Sequence, residues 1–129
     1  MDRHGLPVLA VSVALLFLLV ALAACSSTST FGKLAERGGG LFSTYCSSCH
    51  GSGGEGGGGA PPVYGRFGLD YQNAEQVFDK IRFEMPKNWP ATMAASEYRQ
   101  ILSYILVQGG YVDPQDKFSD DALSQITFP

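Results

Sequence analysis

Apolar positions fall into distinct regimes along the chain. Leu6 to Ala24 is an almost unbroken apolar run without a charge, preceded by Arg3. Ser26 to Arg37 is polar, Ser/Thr-rich and without apolar periodicity, so it reads as a tether. From Gly38 the spacing becomes helical. Leu41, Phe42 and Tyr45 predict a first helix from about Gly39 into His50; Gly38 to Gly40 either start it or admit a neighbouring helix closely. Ala74, Val77, Phe78 and Ile81 form a second stripe, opened by Asn73 with Gln76 three positions on as a capping box and ended before Pro86. Tyr98, Ile101, Leu102 and Ile105 form a third, predicted from Ser96 as N-cap, with Glu97 in the first turn, to Gln108, where Gly109-Gly110 stops it. These stripes predict a small all-α domain over 38–110. Before it come a signal or anchor (1–24) and a flexible tether (25–37); after it comes an acidic C-terminal extension (111–129).

Between the first two stripes the chain changes character. Gly51 to Gly59 holds seven glycines and reads as a flexible loop. Its Gly51-Ser52-Gly53-Gly54-Glu55-Gly56 matches a dinucleotide fingerprint only formally, since no strand precedes it and no phosphate-facing helix follows. Glu55 reads as a solubilising charge. Pro61-Pro62-Val63-Tyr64-Gly65 ends the loop in stiff, extended backbone.

The densest chemistry lies at the end of the first predicted helix, in Cys46-Ser47-Ser48-Cys49-His50. Thiols at i and i+3 and an imidazole at i+4 share one face of a helical turn. Each thiol can add to one vinyl group of a porphyrin while the imidazole reaches the iron, which is the layout for attaching one c-type haem. A thioredoxin-like pair would need a βαβ context, and a zinc site two more ligands. The chain has three cysteines and two histidines in all. The remaining cysteine, Cys25, lies beside the apolar run, and His4 precedes it.

Arg3, the apolar run and Leu22-Ala23-Ala24-Cys25 form an export signal resembling the lipobox of bacterial lipoproteins. That resemblance implies cleavage before Cys25 and acylation of Cys25, which anchors stably when two or more chains are attached. An uncleaved transmembrane helix is the other reading, because the run just spans a bilayer. Both place the domain outside the cytoplasm and at a membrane, and neither leaves a cysteine for a structural disulfide. The net charge of −3, from twelve acidic and nine basic residues, argues against a nucleic-acid partner.

With the haem-attachment motif, the Pro61 stretch and Met85-Pro86 in place, the region Gly38 to Gly110 resembles a class I bacterial cytochrome c. The resemblance implies three main helices around the haem, with Tyr104 packing on the first helix near Gly39 and Phe42. It implies that His50 is the proximal iron ligand and that Pro61 offers its carbonyl to the other nitrogen of His50, with Val63 where the family has leucine; a plain turn is the alternative. It also implies Met85 as the sixth ligand. Met93 is the other methionine of the domain, and an open site is the third possibility. Trp89 either donates its indole N–H to a propionate or packs at the loop surface, and Arg66 and Arg82 are weaker propionate candidates.

The function expected from this resemblance is single-electron transfer rather than catalysis, on the outer face of the bacterial cytoplasmic membrane, between respiratory or photosynthetic membrane oxidoreductases. A fixed subunit of a respiratory complex, such as the monohaem subunit of alternative complex III, is a compatible form. The four lysines, Lys33, Lys80, Lys87 and Lys117, make no dense basic ring, so docking would rely on the apolar haem edge or on tethering. A haem enzyme or gas sensor with a displaceable sixth ligand, and a mainly structural subunit, are the alternatives. Tyr111 to Pro129 reads as a surface strap or a docking segment, with one or two helical turns between Ser119 and Ile126.

Overall fold

The computed structural model describes residues 29–129; the apolar run, Cys25, His4 and the start of the tether lie outside the described residues. Helix α1 (Phe31–Tyr45) is followed by the single turn α2 (Ser47–His50), the single turn α3 (Phe67–Asp70), α4 (Ala74–Glu84), α5 (Ala95–Gln108) and a 3₁₀ segment, Asp120–Gln125. Among the described residues β-structure is limited to two isolated bridges, Thr30 with Lys117 and Asn73 with Thr127. The domain is all-α, and no described helix is long and apolar enough to cross a membrane.

The first helix begins eight residues before the predicted Gly39, so the tether reading is corrected from Thr30 onward. Thr30 Oγ1 accepts from the Lys33 N–H at 3.3 Å, and Phe31, Ala35, Gly38 and Phe42 are buried along one face. Their spacing of four, three and four residues is helical. The stripe was hidden because Phe31 and Ala35 are sparse apolar positions among Ser, Thr and charges.

That face packs on α5. A Cβ added at Gly38 would land on the Gln100 carbonyl oxygen, so glycine here lets two helix backbones cross closely. Gly39 would meet the Tyr104 ring, whereas Gly40 faces open space. Just beyond the crossing the Phe42 and Tyr104 rings lie 5.4 Å apart. Tyr98, Ile101, Leu102, Ile105 and Leu106 complete the buried face of α5.

At the start of α4, Asn73 Oδ1 accepts from the Gln76 N–H at 3.1 Å, while Gln76 Oε1 reaches back to the N–H of Gln72 at 2.8 Å. The reciprocal bond thus lands one residue earlier than a capping box has it. Helix α5 is capped from Ala94, whose N–H donates to Glu97 Oε2 at 2.8 Å. Ser96 lies inside the helix, so the N-cap assignment to it is corrected.

The C-terminal extension is part of the core. Phe118 packs edge-on to Phe31 at 5.2 Å, and Phe128 lies 4.9 Å from Phe67. Leu123 is buried, and Arg99 holds Asp120 through two hydrogen bonds of 2.7 and 2.5 Å. Backbone bonds stitch the extension to the starts of α1 and α4: Phe31 N–H to Asp116 O at 3.0 Å and Ala74 N–H to Ile126 O at 2.9 Å. The segment packs on its own domain as the surface-strap reading expects, with single apolar residues filling gaps left by the helices.

Candidate haem site

The proximal turn follows from backbone continuity. Cys46 N–H donates to Phe42 O at 2.9 Å, extending the ladder of α1, and His50 N–H donates to Cys46 O at 2.9 Å. Cys46 is therefore the joint between α1 and α2, half-buried, while Cys49 is exposed. Burial and the neighbouring Cys49 push the Cys46 thiol up to about 11. A reactive thiolate needs the opposite shift, so Cys46 is poorly suited to be the attacking thiol of a dithiol exchange.

The glycine loop, expected to be flexible, is wired to the end of this turn. Gly51, Gly56 and Gly58 N–H groups donate to the carbonyls of Ser47, His50 and Cys49 at 2.9, 2.6 and 3.0 Å. A helix end leaves such carbonyls orphaned, and here the loop backbone fills them. Gly51 turns the chain at φ 84°, a conformation that favours glycine. Glu55 Oε2 accepts from Gly53 N–H at 2.7 Å. Backbone amides, its own first and then that of Gly53, hold its carboxyl below the usual carboxylate range. Its place in the loop was not visible in composition, which shows only a charge among glycines.

His50 is oriented from the far end of that loop: its Nδ1–H donates to the Pro61 carbonyl at 3.0 Å. Nε2 has no hydrogen-bond partner among the described residues.

A cleft of about 290 Å³ opens beside this ring, and Cys46, Cys49, His50, Pro61, Met85 and Met93 all line it. Phe42, Val77, Ile81, Ile101 and Ile105 supply its apolar wall, so it runs from the surface into the core. Arg66, Lys80 and Lys87 also line it. Arg66 Nε pairs with Asp70 at 3.1 Å and Lys80 pairs with Glu84, while Lys87 has no ion pair among the described residues. Trp89 does not line the cleft and is 70% exposed, so of its two expected roles packing at the loop surface is corrected and the propionate contact has no support among the described residues. Arg82 is elsewhere too, over the Phe83 ring at 5.1 Å and the Phe78 ring at 5.9 Å.

In the sequence Tyr98 shows only as a member of the third apolar stripe. Its ring is 1% exposed and lines the cleft, and its hydroxyl donates to the Met85 carbonyl at 2.9 Å. A buried tyrosine hydroxyl calls for a partner, which was the one available signal. Only the fold brings Lys80 and Lys87 to this cleft.

These residues fit a covalently held porphyrin: two cysteines, an imidazole already oriented through Nδ1, and thioethers, all around one deep apolar cleft. Among the described residues no three of His, Cys, Asp and Glu converge as a metal-ligand set, so a zinc site has no support here. An all-α fold around such a cleft defines a class, the single-haem class I cytochromes c. The chain belongs to the family described as "Cytochrome C oxidase, cbb3-type, subunit III", whose sequence profile matches residues 33–105; it binds one haem c and has an electron-transfer domain. No curated protein matches the chain. A chain in the crystal structure of the sulfane dehydrogenase SoxCD from Paracoccus pantotrophus is similar in fold, with a TM-score of 0.64 at 20% identity, over 100% of this chain and 68% of that one.

Proposed function

We propose that this protein is a membrane-tethered carrier of single electrons between membrane oxidoreductases, on the outer face of the bacterial cytoplasmic membrane. The observation that carries the reading is the shared cleft: the attachment thiols, the oriented His50 and the thioether of Met85 line one cavity. When bound, haem c supplies a one-electron ferric/ferrous couple.

The chain's own residues do the rest. Cys46 and Cys49 would hold the group by thioether bonds in both redox states. The Pro61 carbonyl holds the His50 ring by Nδ1–H, leaving Nε2 as the ligating atom and making it more basic. Met85 would offer its thioether to the iron, a ligand that raises the potential, and so would leave no site for substrate. Arg66, Lys80 and Lys87 offer cations to the propionates. Cys25 carries the acyl anchor and residues 26–29 are the remaining tether. The family description names an oxidase subunit and the similar fold belongs to a dehydrogenase, which supports a redox enzyme as partner, including one that keeps this chain as a fixed subunit.

Mass spectrometry of the mature protein purified from membranes tests the assignment. One haem on the peptide bearing Cys46 and Cys49, with an acylated N-terminal Cys25, is expected. A haem-free 46–49 peptide would contradict the site. An intact residue 1–24 segment would replace the lipid anchor by a transmembrane helix.

A further inference from the structure

The segment between α4 and α5 carries Met85 and Met93, and little in it is self-supporting. Trp89 N–H donates to Pro86 O at 2.9 Å and Thr92 Oγ1 donates to Trp89 O at 2.9 Å, both within the segment. Trp89, its largest side chain, is 70% exposed and gives it no anchor. Among the described residues one side chain outside the segment bonds to the backbone of both methionines. Tyr98, in the first turn of α5, donates its hydroxyl proton to Met85 O at 2.9 Å and accepts from Met93 N–H at 3.5 Å, the second bond being the longer and weaker. A hydroxyl can donate and accept at once, so one buried atom ties down both methionine positions. For packing alone a phenylalanine would fill the same space.

We propose that Tyr98 is a positioning residue for the sixth iron position. By pinning the backbone at 85 and at 93 to a rigid helix, it presents the Met85 thioether at one place and keeps Met93 from replacing it. The inference rests on the reading of Met85 as ligand. It concerns how firmly that position stays closed: with the loop unpinned, the thioether leaves more often, and an outside ligand finds the position vacant in proportion.

Carbon monoxide association with the reduced holoprotein reads that vacancy, and it is measured in wild type, Tyr98→Phe, Met85→Ala and Leu102→Ala. Leu102 is fully buried on α5 and does not line the cleft, so its variant reports general loosening. The proposal expects wild type to bind slowly and Tyr98→Phe about tenfold faster, the factor for losing roughly one to two net hydrogen bonds. Met85→Ala should be fastest, and Leu102→Ala should match wild type although it melts lower than Tyr98→Phe. A Tyr98→Phe rate equal to wild type, with Met85→Ala fast, overturns the positioning role and leaves Met85 as ligand. An equal rise in Leu102→Ala also overturns it, as a global effect. If Met85→Ala binds no faster than wild type, the ligand reading fails and the positioning role falls with it.

Discussion

Gly38→Ala tests the helix crossing on which the fold is built. In an isolated helix interior the change is favourable by about 0.8–1 kcal/mol, because alanine loses less backbone freedom on folding. Here the added methyl group meets the Gln100 carbonyl, a backbone atom on the facing helix, and also crowds the Tyr104 Cβ. Neither can rotate aside, so α1 and α5 must separate. Overpacking of this kind costs about 1–3 kcal/mol, occasionally more. The helix-propensity gain offsets part of that, leaving a net loss of roughly 0–2 kcal/mol. Gly40→Ala is the matched control: it lies two residues along the same helix with nothing within 4 Å of its added Cβ, so it should stabilise by about 0.5–1 kcal/mol. Urea unfolding of the holoprotein followed by circular dichroism gives both values. For a domain of this size the pair should differ in melting temperature by about 4–8 °C per kcal/mol. A Gly38→Ala protein as stable as Gly40→Ala would refute the close crossing.

The extension gives two further predictions. Leu123→Ala removes a side chain that is 1% exposed and should cost about 2–5 kcal/mol in urea unfolding; a loss under about 0.5 kcal/mol, as for an exposed site, would mean that the strap is not core. Asp120 is held below its ordinary value chiefly by the Arg99 hydrogen bond. A depressed carboxyl contributes stability that is present above its unfolded-state pKa and lost as pH falls through its folded-state value. Asp120→Asn should therefore lose stability at pH 7 and lose less than wild type on acidification. The pair is half exposed, so the difference is about 0.5 kcal/mol; identical acid profiles by thermal melting would contradict the assignment.

The parts legible in the sequence are those whose physics is local. Cys46, Cys49 and His50 sit within one helical turn, so their spacing alone brings them to one face. The stripes at Ala74, Val77, Phe78 and at Tyr98, Ile101, Leu102, Ile105 recur at the helical period and place α4 and α5 to within a residue or so. What stayed hidden depends on partners far along the chain. Phe31 and Ala35 are buried only because Phe118 and α5 lie over them. Phe118, Leu123, Ile126 and Phe128 have no period of their own. The Tyr98 hydroxyl has meaning only beside the carbonyl thirteen positions earlier. The glycine loop misled for a different reason: its composition speaks for freedom, while its amide groups complete the end of α2.

The cleft lined by His50 and Met85 is proposed to hold one haem and to keep its iron closed to outside ligands. A redox titration of the visible spectrum, ended by adding carbon monoxide to the reduced protein, tests this most directly. One reversible one-electron transition at positive potential is expected, with a reduced spectrum that carbon monoxide leaves unchanged on mixing. A low potential with an immediate carbon monoxide shift would contradict it, and would make the protein a ligand-binding haem protein instead of an electron carrier.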